Sequence, residues 1–158
     1  MRALIQRVGH AEVDVGGERI AAIGRGILAL IGVEAGDGER ESARLLERVL
    51  TYRIFPDGEG RMNLSVTDIG GGLLLVPQFT LAADTRKGTR PGFSTAAPPE
   101  RAKALYEAMV DAARARHAPV SSGRFGADMQ VTLTNNGPVT FLLDTGLDTG
   151  ERETAASR

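Results

Sequence analysis

The run Asn135-Asn136-Gly137-Pro138-Val139-Thr140 constrains the fold of this chain more than any other stretch. It follows the alternating segment Met129-Gln130-Val131-Thr132-Leu133-Thr134 and leads into the apolar Val139-Thr140-Phe141-Leu142-Leu143. Both flanks have strand character, and Asn-Gly followed by Pro is turn chemistry, so the pattern predicts a hairpin. A turn of this kind also presents stiff backbone carbonyls and amides, which are recognition groups as well as structure. Read alone, the run favours a plain chain reversal.

The rest of the chain is punctuated in the same way. Residues 4–8 and 12–15 read as short strands, and Gly16-Gly17 turns the chain into a third over residues 18–23. After Gly24-Arg25-Gly26, the unbroken apolar run of residues 27–33 suits a central strand buried on both faces. Asp37 can cap a helix starting near Glu39, with Ala43, Leu46, Val49 and Leu50 on its inner face, ending near Arg53. Residues 62–64 form a weak strand, and Leu73-Leu74-Leu75-Val76 a strong one that stops at Pro77. Pro98-Pro99-Glu100 opens a second helix whose apolar side is Ala102, Leu105, Tyr106, Met109, Val110 and Ala113, closed by Pro119.

Hairpins interleaved with two helices do not make the regular alternation of a doubly wound sheet. The expectation is a mixed α+β fold: a mostly antiparallel sheet or partly open β-barrel with two main helices packed outside. At 158 residues the chain fits one domain, residues 1–145, with a single independent core, followed by a polar, disordered tail over residues 146–158.

Composition narrows the chemistry. Nineteen Lys and Arg face 20 Asp and Glu, which excludes a uniformly basic nucleic-acid wrapper, so any RNA contact must be local. Without cysteine there is no disulfide, thiol nucleophile or thiolate metal site, and His10 and His117 are the whole imidazole supply. The early charges of Arg2 and Arg7 interrupt any signal-like apolar segment, and no run approaches a membrane span, so a cytoplasmic protein is expected.

Several motifs fail on context. Gly24-Arg25-Gly26 precedes a strand, where a dinucleotide fingerprint needs a helix. Gly92-Phe93-Ser94-Thr95-Ala96 lacks the last glycine of a nucleophile elbow. His117 suits the C-terminal end of the second helix, and His10 a strand or turn. Asp68, Asp84, Asp128 and Asp144 are too scattered for a carboxylate pair or metal site. What remains is the loop after Val76. In an extended conformation Gln78 and Thr80 would point together towards a ligand, while Phe79 and Leu81 would point into the core. Arg86, Lys87 and Arg90 then form the densest basic cluster, suited to a phosphate-bearing ligand.

Taken together, these segments resemble the D-aminoacyl-tRNA deacylase family over roughly residues 1–145. The resemblance is carried by Met1-Arg2-Ala3-Leu4-Ile5-Gln6-Arg7-Val8, by Gln78-Phe79-Thr80-Leu81 followed by Ala83-Asp84-Thr85-Arg86-Lys87-Gly88, by Gly123-Arg124-Phe125-Gly126-Ala127-Asp128-Met129, and by Asn136-Gly137-Pro138-Val139-Thr140. It implies a homodimer with active sites at the subunit interface that hydrolyses the ester between a D-amino acid, or glycine, and the tRNA 3′ end. It further implies that Gly137-Pro138 is a cis peptide projecting into the partner's pocket, where backbone carbonyls exclude L side chains. Gln78, Phe79 and Thr80 would line the ester, with the amides around Phe79 and Thr80 facing the oxyanion and the ribose 2′-hydroxyl assisting water. Asn136, Val139, Phe125 and Met129 would complete the substrate pocket, and Arg86, Lys87 and Arg90 would hold the tRNA. No cofactor, metal, membrane or DNA partner is expected.

Pro77 departs from the family pattern, which usually has Ser there, and so removes a hydroxyl and an amide. A related branch that removes mischarged L-alanine is similar in carrying Pro-Gln at this point, whereas Phe79 and Asn136-Gly137-Pro138-Val139-Thr140 favour the D-specific branch. Two other readings compete: a non-catalytic module binding the tRNA acceptor stem, and a serine hydrolase using Ser94.

Overall fold

The two short N-terminal strands expected from the sequence are one long strand. In the computed structural model, which describes residues 1–146, the elements run β1 (Arg2–Val15), β2 (Glu18–Ile23), β3 (Gly26–Gly32), α1 (Glu39–Thr51), β4 (Phe55–Pro56), β5 (Met62–Leu64), α2 (Val66–Ile69), β6 (Gly72–Pro77), a 3-10 turn (Phe79–Ala82), α3 (Pro99–Arg116), β7 (Val120–Ser122) and β8 (Gln130–Asp144). β1 is the organiser. One of its edges pairs antiparallel with β3 and then with β2, and its other edge pairs with β8 along most of its length. β6 joins β3 in parallel, and β7 joins β6 in parallel. The two ends of this path approach each other, where Ser121 Oγ donates to the Ala22 carbonyl at 3.2 Å. The result is a mixed α+β fold with a nearly closed, barrel-like sheet, as the hairpin-rich pattern predicts.

Strand parity explains how one sheet serves two cores. Along β1 the buried residues are Ala3 and Ile5, then Val8, Ala11 and Val13, and the change of parity coincides with irregularities in its pairing with β8 around Val8. The first group packs with Ile27, Ala29, Ile31, Leu73 and Leu75 beneath the helices. The second packs with Leu28, Leu74 and Val76 inside the barrel. The expected single core is thus two clusters on opposite faces of one sheet. Only strands buried on both faces can do this, and β3 and β6 are the unbroken apolar runs of the sequence.

The helices cover the first cluster. Every apolar residue assigned to the inner face of α3, from Ala102 to Ala113, is buried. On α1 the inner face is Ser42, Leu45, Leu46, Val49 and Leu50, while Ala43 is exposed, so the helix is rotated from the expected register. Each large aliphatic side chain buried here stabilises the fold by roughly 1.5–3 kcal/mol. Gly38, not Asp37, is the N-cap of α1. The Asp37 carboxylate is drawn elsewhere, accepting from the Met1 ammonium at 2.7 Å and the Glu34 amide at 2.6 Å.

The largest difference from the sequence reading lies in β8. Asn135-Asn136-Gly137-Pro138 does not reverse the chain. Gln130 to Asn135 pair with β1 from Asp14 to Val8, and Thr140 to Asp144 continue from Gln6 to Arg2, so that Asn136, Gly137, Pro138 and Val139 stand opposite Arg7 alone. Two strand-like segments need not pair with each other when a longer strand is available to both. Proline has no amide for the ladder, so the four residues leave it as a wide bulge. Asp144 and Thr145 at the end of β8 are buried, and the Thr145 amide donates to the Met1 carbonyl. Of the expected tail, residues 147–158 lie outside the described residues.

Candidate active site

The loop after β6 is helical rather than extended. The Gln78 amide donates to the Ile31 carbonyl at 2.7 Å, prolonging the β3–β6 pairing by one step, and the chain then tightens into the Phe79–Ala82 turn. Phe79 is therefore not a core residue: it is 58% exposed and rests against Phe93 with ring centroids 5.2 Å apart. Leu81 is half-buried. Gln78 Nε2 donates to Thr80 Oγ1, so the amide and the hydroxyl do lie together. The first amides of a helical turn have no partner within it, and those of Phe79 and Thr80 have no acceptor among the described residues.

Beside this turn lies a mainly apolar cleft of about 440 Å³, closed by the start of α3 and by residues 125–131. Pro77, Gln78, Phe79, Phe125, Gly126, Asp128 and Met129 line it, so the structure brings together four of the residues singled out from the sequence. Its far wall is fixed from below. The Tyr106 hydroxyl donates to the carbonyls of Leu75 at 2.9 Å and Gly123 at 3.1 Å, and burial pushes its pKa well above that of a free phenol. Gly123 packs closely under this wall: a Cβ there would sit 2.8 Å from Met129 Sδ and 3.2 Å from Pro77 Cδ, so that Met129 would have to shift.

The Gly137-Pro138 bulge stands apart from that cleft and contributes nothing to its lining in the same chain. Asn136, Gly137 and Pro138 are exposed, whereas the Val139 side chain is turned into the helix-side core. The Gly137-Pro138 peptide is cis. Gly137 has φ +145°, and a Cβ on it would lie 2.6 Å from Val139 Cγ2 and 3.2 Å from Arg7 Nη2, so this position accepts only glycine without strain. Two residues that sequence reasoning did not assign brace the bulge. Arg7 Nε donates to the Asn136 carbonyl and its Nη1 to the Ile54 carbonyl, each at 2.8 Å. Asn135 Oδ1 accepts from the Val139 amide at 2.7 Å, and its Nδ2 donates to Thr140 Oγ1 at 2.9 Å. Arg7 stood in the sequence as a charge interrupting an apolar strand and within the Met1–Val8 segment of the resemblance, with no role attached to it.

The basic cluster is only partly available. Asp84 and Gly92 close its loop as a bridge, and Arg86 donates to both Asp84 carboxylate oxygens, at 2.9 and 2.8 Å. These bonds hold the Asp84 carboxyl far below its usual range. Lys87 and Arg90 are exposed on the same loop. Ser94 is exposed, and neither histidine serves it among the described residues: His10 lies on β1, and the His117 ring, at the end of α3, lies 2.6 Å from the Gly71 carbonyl. Among the described residues no group of three His, Asp or Glu side chains could hold a metal ion.

A nearly closed, barrel-like α+β sheet, an apolar cleft beside a 3-10 turn and a braced backbone bulge elsewhere on the sheet define the class of fold and site. The comparisons with known proteins specify the class. Residues 4–144 match the family model described as D-Tyr-tRNA(Tyr) deacylase, and the chain belongs to that family. It is 62% identical over 143 residues to a D-aminoacyl-tRNA deacylase of Methylococcus capsulatus, covering 90% of this chain and 94% of that one. It is 60% identical to another of Pseudomonas paraeruginosa, covering 91% and 99%. Among solved structures, the c-Myc DNA Unwinding Element Binding Protein superposes with a TM-score of 0.88 at 40% identity, covering 92% of this chain and 99% of that one. A probable eukaryotic D-amino acid tRNA deacylase superposes with a TM-score of 0.77 at 18% identity, covering 90% and 98%, a likeness of fold.

Proposed function

We propose that this chain acts in the cytoplasm as a D-aminoacyl-tRNA deacylase. It hydrolyses the ester between a D-amino acid and the tRNA 3′ end, releases tRNA and the free D-amino acid, and also clears glycyl-tRNA. Family membership supports the hydrolysis itself. The selectivity rests on one observation: a braced, exposed backbone bulge that does not line the cleft beside the Phe79–Ala82 turn of its own chain. In a homodimer it enters the partner's cleft, where the carbonyls around Gly137 and Pro138 leave room for the α-hydrogen but not for an L side chain. Glycine carries no side chain and passes the same gate.

Gln78 and Phe79 hold the aminoacyl end in the cleft, Phe125 and Met129 complete the substrate pocket, and at the rim the Phe79 and Thr80 amides receive the negative charge that develops on the ester oxygen. An aminoacyl ester is already activated, so a water assisted by the ribose 2′-hydroxyl suffices once it is positioned. Thr80 has no base beside it among its hydrogen bonds, only Gln78, which supports a positioning role over a nucleophilic one. Lys87 and Arg90, with Arg86 tied to Asp84, offer the acceptor stem a modest, salt-sensitive contact.

The test is deacylation of D- and L-tyrosyl-tRNA by the purified chain. The D ester is cleaved and the L ester spared. Equal rates would sink the proposal, salt-sensitive binding without hydrolysis would leave only the RNA-binding reading, and preference for L-alanyl-tRNA would place the chain in the branch that Pro77 resembles.

A further inference from the structure

We propose that Arg2 and Gly32, cross-strand neighbours on β1 and β3, form a seat that positions the Phe79–Ala82 turn for catalysis; the inference rests on the deacylase reading above. Arg2 lies between β8 and β3, opposite Asp144 on one side and Gly32 on the other. Its guanidinium divides its donors among three elements. Nε pairs with Asp144 Oδ2 at 3.2 Å, Nη2 with Glu34 Oε1 at 3.1 Å, and Nη1 donates to the Leu81 carbonyl at 3.0 Å. The two carboxylates fix the plane of the fork, and the fork then fixes the end of the turn.

Gly32 supports the same turn from beneath. A Cβ there would lie 2.8 Å from Leu81 Cβ, 3.2 Å from the Gln78 carbonyl and 3.4 Å from the Ala82 amide, so the turn sits where a side chain would otherwise be. The Gln78 amide bond to Ile31, one residue before Gly32, anchors the turn at its other end. Neither Arg2 nor Gly32 lines the cleft of Gln78 and Phe79, so both act on it through the backbone that carries those residues, while Arg2 also lines a separate hollow with Glu34, Asp84 and Arg86. Where catalysis is positioning, a shift of about 1 Å in such a backbone costs on the order of 100-fold in rate.

The experiment combines steady-state deacylation of D-tyrosyl-tRNA with amide hydrogen exchange, on the full chain and on Arg2→Lys, Gly32→Ala and Glu34→Gln. Arg2→Lys keeps a cation beside the two carboxylates but cannot also span to Leu81. Both Arg2→Lys and Gly32→Ala are expected to lower kcat roughly 10- to 100-fold with KM within about threefold, while exchange accelerates at residues 78–83 and not in β1, β3 or β6. Glu34→Gln, which removes the charge that Arg2 and the Met1 ammonium share but leaves the Asp144 and Leu81 contacts of Arg2, is expected to lower Tm and to lower kcat by less than Arg2→Lys does. Arg2→Ala should regain part of its kcat when guanidinium ion is added, and Gly32→Ala should not.

Unchanged kcat or unchanged exchange at residues 78–83 in folded Arg2→Lys and Gly32→Ala would overturn the seat. So would a loss in Glu34→Gln as large as that in Arg2→Lys. If the unaltered chain fails to cleave D-tyrosyl-tRNA, it is the deacylase reading that falls, and the exchange data alone then decide on the seat.

Discussion

On the proposed function, selectivity turns on Gly137 and on Arg7, which braces the bulge. At φ +145° and with Val139 and Arg7 against it, Gly137 has no room for even a methyl group. Gly137→Ala should therefore reshape the bulge locally, lowering kcat/KM for the D ester by at least about tenfold while Tm moves little, because the site is exposed. Arg7 spans two carbonyls with one planar fork, and Arg7→Lys keeps the charge but not the span. Its kcat/KM should fall roughly tenfold, the cost of one charge-assisted bond. Gly-Pro was legible as a break in the strand pattern because its chemistry is local, but the reversal expected there is a bulge. Its brace was not legible, since Arg7 and Asn136 lie 129 residues apart in sequence. Phe79 was misread as core for a related reason: alternation predicts facing only if the segment is extended, and Phe79 to Ala82 is helical.

Elements were legible where burial follows a single period. The inner face of α3 and the doubly buried β3 came through because packing on a sheet enforces helical spacing in one and unbroken apolarity in the other. β8 did not, because whether two segments pair with each other or with a third strand depends on a partner more than a hundred residues away. α2 was missed despite its capping signal, Ser65 with Asp68 three residues on. There Ser65 Oγ accepts from the Asp68 amide at 3.1 Å, and the Asp68 carboxylate accepts from the Ser65 amide at 2.8 Å. Ser65→Ala should cost about 1 kcal/mol in urea denaturation. The Ser65 amide holds the Asp68 pKa below its ordinary 3.8, so its contribution is present above about pH 4 and declines as pH falls below that. Asp68→Asn should accordingly lose less Tm between pH 5 and pH 2 than the unaltered chain does. Flat and equal acid profiles in the two would contradict the cap.

At the scale of the whole molecule, one sheet carries two cores, and the cleft and the bulge are mounted on different parts of it. Phe141 and Leu142 remain exposed beyond the bulge on β8, which among the described residues pairs with β1 alone. The proposed function joins the cleft of one copy to the bulge of a second, a pairing that composition has no means of revealing. The most direct measurement is complementation between two inactive variants, Gly137→Ala in the bulge and Phe79→Ala in the cleft, unfolded together and refolded as a one-to-one mixture. If the site joins the cleft of one subunit to the bulge of its partner, half the dimers are mixed and each carries one intact site. About a quarter of the unaltered D-tyrosyl-tRNA deacylase activity should then return. A refolded mixture no more active than the two variants assayed separately would contradict a gate supplied by the partner.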